Sequence, residues 1–123
     1  MGKSERPPDI PARTFVFAAR ILRLVRALPH DVGGFVVARQ LARCGTSVGA
    51  NVEEAPAAHS RADFTRQMNI ARAEAKESLF WLRLLAETSM LPPRKLQAII
   101  TEGDEIVRIL TSIVAAARRP TAR

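Results

Sequence analysis

Gln40, Arg43, Ser47, Asn51 and Glu54 are spaced three, four, four and three residues apart. That is the period of an α-helix, so the five side chains share one face. Leu41, Cys44, Val48 and Val52 run beside them as an apolar track of the same period. A strand would alternate every second residue, and nothing here does. The segment is a helix with a buried side, and the polar stripe beside that side needs partners from another element.

Three further segments repeat the pattern. The first helix is expected over 12–28, with Phe17, Ile21, Leu24 and Leu28 inward and Pro29 as its stop. The stripe-bearing helix is expected over 33–54, with Asp31 as its cap and Gly33-Gly34 as a soft start without the character of a phosphate loop. Gly45 and Gly49, four apart, predict a tight helix crossing, since each glycine costs about 1 kcal/mol of helix propensity. The third helix is expected over 61–90, capped by Ser60 and buried through Phe64, Met68, Ala71, Ala75, Leu79, Leu82 and Leu85. Leu91-Pro92-Pro93 stops it, and a fourth is expected over 94–118. Short loops between the four favour an all-α, antiparallel up-down-up-down bundle over 12–118, with a proline-rich leader over 1–11 and a basic tail over 119–123.

A chain of 123 residues with 47% hydrophobic residues holds one domain and one core. No run of eighteen apolar residues is present, so no transmembrane span is expected and no membrane partner. The polar start, MGKSERPPD, leads into no signal peptide, which points to a cytoplasmic protein. Arg6 stands where a myristoylation signal wants Ser or Thr. One cysteine, Cys44, permits no internal disulfide, and its mid-helix apolar position fits a buried thiol.

Chemistry is sparse. His30 and His59 lie near loops and belong to no metal signature, and no Glu-x-x-His occurs. No cofactor motif is present, and no catalytic residue or metal ligand is assigned. Glu53-Glu54 and the pair Glu74 and Glu77 are the acids able to converge. Paired carboxylates serve acid–base work or divalent ions, but Arg43 beside the buried track also needs a counter-charge. The expectation is a structural network of Gln40, Arg43, Ser47, Asn51, Glu54 and Glu77.

The net charge is +7, and residues 1–50 carry eight Lys or Arg against three acids. Arg20, Arg23, Arg26, Arg39, Arg118 and Arg119 are the candidates for RNA or DNA phosphates; the alternative is a solvated helix face. No aromatic residues interleave with them, and packing accounts for Phe15 and Phe17, so any recognition is of backbone or shape. The fourth helix has two apolar tracks, and Trp81 and Leu84 widen the third. Trp81, Leu84, Ile100, Val107 and Val114 are the candidate subunit interface; a generous core is the alternative.

The stretch QLARCGTSVGANVEEA, residues 40–55, resembles the motif of the ribosomal RNA intervening-sequence family: Gln-Leu-Arg-Arg-Ala, then Ser-Ile, then Asn-Ile-Ala-Glu-Gly. Gln40, Leu41, Arg43, Ser47, Asn51 and Glu54 match, and Val48 and Val52 replace isoleucines. Phe64, Ile70-Ala71 and Glu77 resemble the family's third helix. Ala42, Cys44, Glu53, Glu74 and Ala55 depart from the pattern, the last replacing a helix-ending glycine. The resemblance implies a small antiparallel four-helix bundle without known enzyme activity, in several members a ring-shaped homopentamer. Some members are encoded within insertions of large-subunit ribosomal RNA genes. A similar bundle, a basic pentameric barrel that binds nucleic acid, is the accessory of the reverse transcriptase in diversity-generating retroelements.

Two functions compete: an oligomeric, non-enzymatic accessory factor contacting nucleic acid and a reverse transcriptase or other protein, and a protein-interaction scaffold with no nucleic-acid role. An enzyme acting through Glu54, Glu74 or Glu77 lacks a nucleophile, metal set or cofactor motif.

Overall fold

The computed structural model describes residues 9–120, so most of the expected leader and the end of the basic tail lie outside the described residues. Among the described residues the fold has four helices, α1 (Ile10–Val25), α2 (Val32–Glu54), α3 (Arg61–Glu87) and α4 (Pro93–Arg118), with one 3-10 turn at Ala55–Ala57. No strand occurs among the described residues.

Capping residues set the ends. Asp9 accepts from the Ala12 amide at 3.1 Å, so α1 starts at Ile10, inside the expected leader. Asp31 accepts from Gly34 at 2.8 Å and Ser60 from Asp63 at 3.1 Å, as the cap signals imply. Each such cap is worth about 1 kcal/mol. α1 ends at Val25 rather than residue 28, because the chain tightens before Pro29: Ala27 and Leu28 donate to Leu24 and Val25, three residues back. Leu28 is buried all the same. α3 ends at Glu87 rather than residue 90. Ser89 has φ 57°, and the Ser89 and Met90 amides donate to the Ala86 and Leu85 carbonyls at 3.2 and 3.1 Å. This is the Schellman stop, with serine in the place glycine usually fills.

Cross-helix pairs run in opposite order on successive helices. Ile21 and Thr14 of α1 meet Gly45 and Gly49 of α2, while Arg43 and Asn51 meet Glu77 and Gln67 of α3. Leu79 and Arg61 of α3 meet Gly103 and Ala117 of α4. The four helices are therefore antiparallel in succession, and α1 closes on α4 through Arg13 and Glu102.

The core contains Phe17, Ile21, Leu41, Cys44, Val48, Leu82, Leu85, Leu96, Ile106 and Leu110, all fully buried. Fully burying one of the larger apolar side chains contributes about 1.5–3 kcal/mol. The tight crossing lies between α1 and α2: a Cβ on Gly45 would come within 2.9 Å of Ile21, and one on Gly49 within 3.2 Å of the Thr14 carbonyl oxygen. Gly34 is more than a soft start. A Cβ there would lie 1.8 Å from the Pro29 carbonyl oxygen, so the turn from α1 into α2 requires glycine.

Candidate functional site

The polar stripe resolves into two clusters between α2 and α3. In the first, Arg43 is the hub. Its Nη2 donates to Glu77 Oε2 at 2.5 Å, Nη1 to Glu74 Oε1 at 3.3 Å and Nε to Gln40 Oε1 at 3.2 Å. Trp81 Nε1 donates to the same Glu77 oxygen at 3.0 Å. These donors favour the ionised carboxylate, so the Trp81 and Arg43 hydrogen bonds lower the Glu77 pKa. Arg43 is not the buried charge that its place beside the apolar track implied: its side chain is 48% exposed. It leans across the outer edge of the α2–α3 seam, with its charge in solvent.

In the second cluster, Asn51 Nδ2 donates to the Ser47 carbonyl oxygen and hydroxyl at 2.9 and 3.1 Å. Gln67 Nε2 donates to Asn51 Oδ1 at 2.8 Å and, more weakly, to Glu54 at 3.5 Å. No hydrogen bond joins Asn51 to Arg43 or Glu77 among the described residues, so the expected single network is divided by one helical turn. Gln67 was not foreseen. With Arg43 placed against Glu77, eight residues along each antiparallel helix lead to Asn51 and Asn69, so register alone narrows the partner to this stretch of α3 and the structure selects Gln67, two residues away.

Below the first cluster, Ser78 Oγ lies 3.3 Å from Cys44 Sγ and also donates to the Glu74 carbonyl oxygen at 2.9 Å. Burial pushes the Cys44 thiol pKa up, which keeps it protonated and unreactive. Glu74 and Glu77 are committed to Arg43, and Glu53 and Glu54 are exposed at the end of α2.

The candidate arginines divide into three groups. Arg20 and Arg23 line a cleft of about 330 Å³ between α1 and the start of α4, with Lys95 as a third cation over Leu24, Ala27, Leu91 and Ile99. No carboxylate lies within ion-pair distance of these three among the described residues. α4 adds to the positive field, since its first turn contains Arg94 and Lys95 and no acid. Arg26 is exposed just past the end of α1, as its C-cap residue. Arg118 and Arg119 lie at the other end of α4, about 35 Å from Lys95 by helix rise. There they line a cavity of about 580 Å³ with Arg61 and Arg66. Arg61 donates from Nε to the Ala117 carbonyl oxygen at 2.9 Å and from Nη2 to that of Arg119 at 3.3 Å. Arg39 stands apart on α2 beside Phe35, Val36 and Gln40. Lys95 was missed because it follows two prolines in a segment read only as a helix start.

The apolar surface also falls elsewhere than expected. Val114 is buried in the bundle, so it lies on no outer face. Trp81, Ile100 and Val107 are half-buried and pack against the core, and Leu84 is half-buried too. The second track of α4 is thus largely used within the chain. Exposed large apolar groups lie on α1 (Phe15, Val16, Leu22), on α2 (Val32, Phe35, Val36) and at Phe80 of α3. Phe17 packs as expected; Phe15, at 68% exposed, does not. No helix among the described residues is long and apolar enough to cross a membrane.

A family model described as "23S rRNA-intervening sequence protein" matches residues 9–112. The chain is also similar to a crystal structure of a protein of unknown function from the S23 ribosomal protein family of Bacteroides thetaiotaomicron. The two are 39% identical with a TM-score of 0.80, over 85% of this chain and 97% of that one. No curated protein matches.

Proposed function

We propose, from the premise that this chain belongs to the 23S rRNA-intervening sequence protein family, that it is a non-catalytic, self-assembling bundle that holds nucleic acid by its phosphates. The observation that carries this reading is the cleft of Arg20, Arg23 and Lys95, three cations gathered without an acid partner among the described residues. Arg13, on the same helix, is held by Glu102 and Glu105, so the acids along that seam are committed elsewhere. A surface that only needed solubility would intersperse the two signs. Phosphate contacts need such a field and no base-reading groups, which agrees with the lack of aromatic residues in the cleft.

Self-assembly is supported by the exposed Phe15, Leu22, Phe35 and Val36. The polar clusters between α2 and α3 fix helix register in this reading and perform no reaction.

Fluorescence anisotropy with labelled single-stranded and duplex RNA and DNA tests the phosphate contacts. Binding should be indifferent to base sequence and should weaken at least tenfold in Arg20→Glu/Arg23→Glu. No binding by the wild type at low salt would overturn it and leave a protein-interaction scaffold as the function.

A further inference from the structure

We propose that the cleft of Arg20, Arg23 and Lys95 receives one unpaired nucleotide of a single strand, with the base on its aliphatic floor and the flanking phosphates on the three cations. The proposal rests on the phosphate-holding part of the reading above and adds the form of nucleic acid that the site selects.

The cleft is a concavity of about 330 Å³ with aliphatic side chains beneath its charges. Ile99 of α4 is 3% exposed and forms its deepest part. Leu24 of α1 and Leu91, from the turn before α4, are half-buried and form its walls. Arg20 and Arg23 belong to one bank and Lys95 to the other, because α1 supplies one side and α4 the other.

The fold keeps acids away from this place. Arg13 draws α1 and α4 together by holding Glu102 and Glu105. Arg20 follows Arg13 by seven residues, and Lys95 precedes Glu102 by seven. The cleft therefore lies about 10 Å along the seam from that bridge. The acids of the seam stay bonded to Arg13, and the cations of the cleft face solvent above an apolar floor.

Phosphate alone would leave that floor bare. Apolar surface in a concavity is stabilised by being covered, so the best ligand has an anionic part and a flat, weakly polar part close together. A nucleotide has both. In a duplex the base faces are stacked on one another, and the sugar–phosphate rim is what meets a cleft of this size. An unpaired strand can turn a base inward. No aromatic ring and no carboxamide lines the cleft among the described residues. The base is then held by its face and not chosen by its kind, which agrees with binding that is indifferent to sequence. An acidic amphipathic peptide has the same charge pattern but a different shape. A helix docks through several anchors along an extended groove, whereas this cleft spans about two turns of α1, from Arg20 to Ala27.

The test is competition against a labelled oligo(dT) strand bound to the full chain, read by anisotropy. The competitors are unlabelled oligo(dT), a strand of equal length made of abasic deoxyribose phosphates, and the oligo(dT)–oligo(dA) duplex. The abasic strand carries the same phosphates, so contacts to phosphate alone predict equal competition. The expected result is that it competes at least about fivefold less well, and that the duplex competes less well than oligo(dT) despite its higher charge density. Leu91→Asn should bring the ratio of oligo(dT) to abasic affinity toward one and leave the salt dependence unchanged, since the three cations remain. Its helical signal reports whether it folds, and the wild-type comparison decides the proposal even if it does not. Absence of binding by oligo(dT) and duplex alike at low salt overturns this proposal together with the phosphate reading. Binding with equal competition by the abasic strand, tighter competition by the duplex, or a ratio unmoved in a folded Leu91→Asn overturns the proposal alone. So does a peptide of glutamate and leucine that displaces the strand at a lower concentration than oligo(dT), which would assign the cleft to an acidic protein segment.

Discussion

Arg13 of α1 grips Glu102 of α4 with two nearly parallel hydrogen bonds, from Nε to Oε2 at 3.0 Å and from Nη2 to Oε1 at 2.7 Å. Its Nη2 also contacts Glu105. The hydrogen bonds to the two glutamates raise the Arg13 pKa, Glu102 contributing most. α1 and α4 are the first and last helices, so no loop joins them and this bridge closes the bundle. Arg13→Ala should lower stability by about 1–2 kcal/mol, as loss of a charged hydrogen-bond partner does. Arg13→Lys should recover less than half of that, because an ammonium cannot form the fork. Urea unfolding followed by circular dichroism checks both.

The glycines of α2 should separate by what surrounds them. Gly45→Ala places a methyl group within 2.9 Å of two Ile21 carbons in a packed crossing. A loss of about 1–3 kcal/mol is expected from overpacking, net of the helix propensity that alanine gains. At Gly33 the near neighbour is the flexible end of Met90 at 3.1 Å. Gly33→Ala should be neutral or stabilising. Equal destabilisation at the two positions would contradict the placement of the crossing.

Ser89 holds a left-handed conformation that L side chains disfavour by about 1–2 kcal/mol. Ser89→Gly should therefore raise the unfolding midpoint, with a gain near 1 kcal/mol. Ser89→Val should do the reverse, since a β-branched residue at positive φ is strained further.

Acid should loosen the α2–α3 and α1–α4 seams. Hydrogen bonds from Trp81 and Arg43 lower the Glu77 pKa, and that from Arg13 lowers the Glu105 pKa. A carboxylate whose pKa is lower in the folded state stabilises the fold above its unfolded value, roughly 4.3 for glutamate. That contribution is lost as pH falls through the folded value. The Glu77→Gln/Glu105→Gln variant should lose less stability than wild type between pH 6 and pH 3, with the difference confined to the acid end. Both sites are solvent-screened, so the effect is small.

The helices were legible because their apolar residues keep one period: Val37, Leu41, Cys44, Val48 and Val52 were readable as inward, and all are buried. Gly45 and Gly49 announced a close crossing but not its partner, since Ile21 and Thr14 are identified only by three-dimensional register. The sequence pattern also carried the match of Arg43 to Glu77, because charge balance and helical spacing both pointed there. It did not separate Asn51 from that cluster, because one turn along a stripe is invisible until the facing helix supplies Gln67. The outer face was misread for a different reason. Hydrophobicity marks what wants to be covered, not by what: Val114 is covered by its own chain and Phe15 is not. Lys95 joins Arg20 and Arg23 only because α4 folds back along α1.

The slope of nucleic-acid affinity against salt tests the central claim most directly. Each phosphate neutralised on a duplex contributes about −0.9 to the slope of log K against log salt. If Arg20 and Arg23 each hold a phosphate, Arg20→Ala/Arg23→Ala should flatten the slope by about 2 per bound protomer, with the same loss on any base sequence. A wild-type slope near zero, or a slope that the double variant leaves unchanged, would contradict the account.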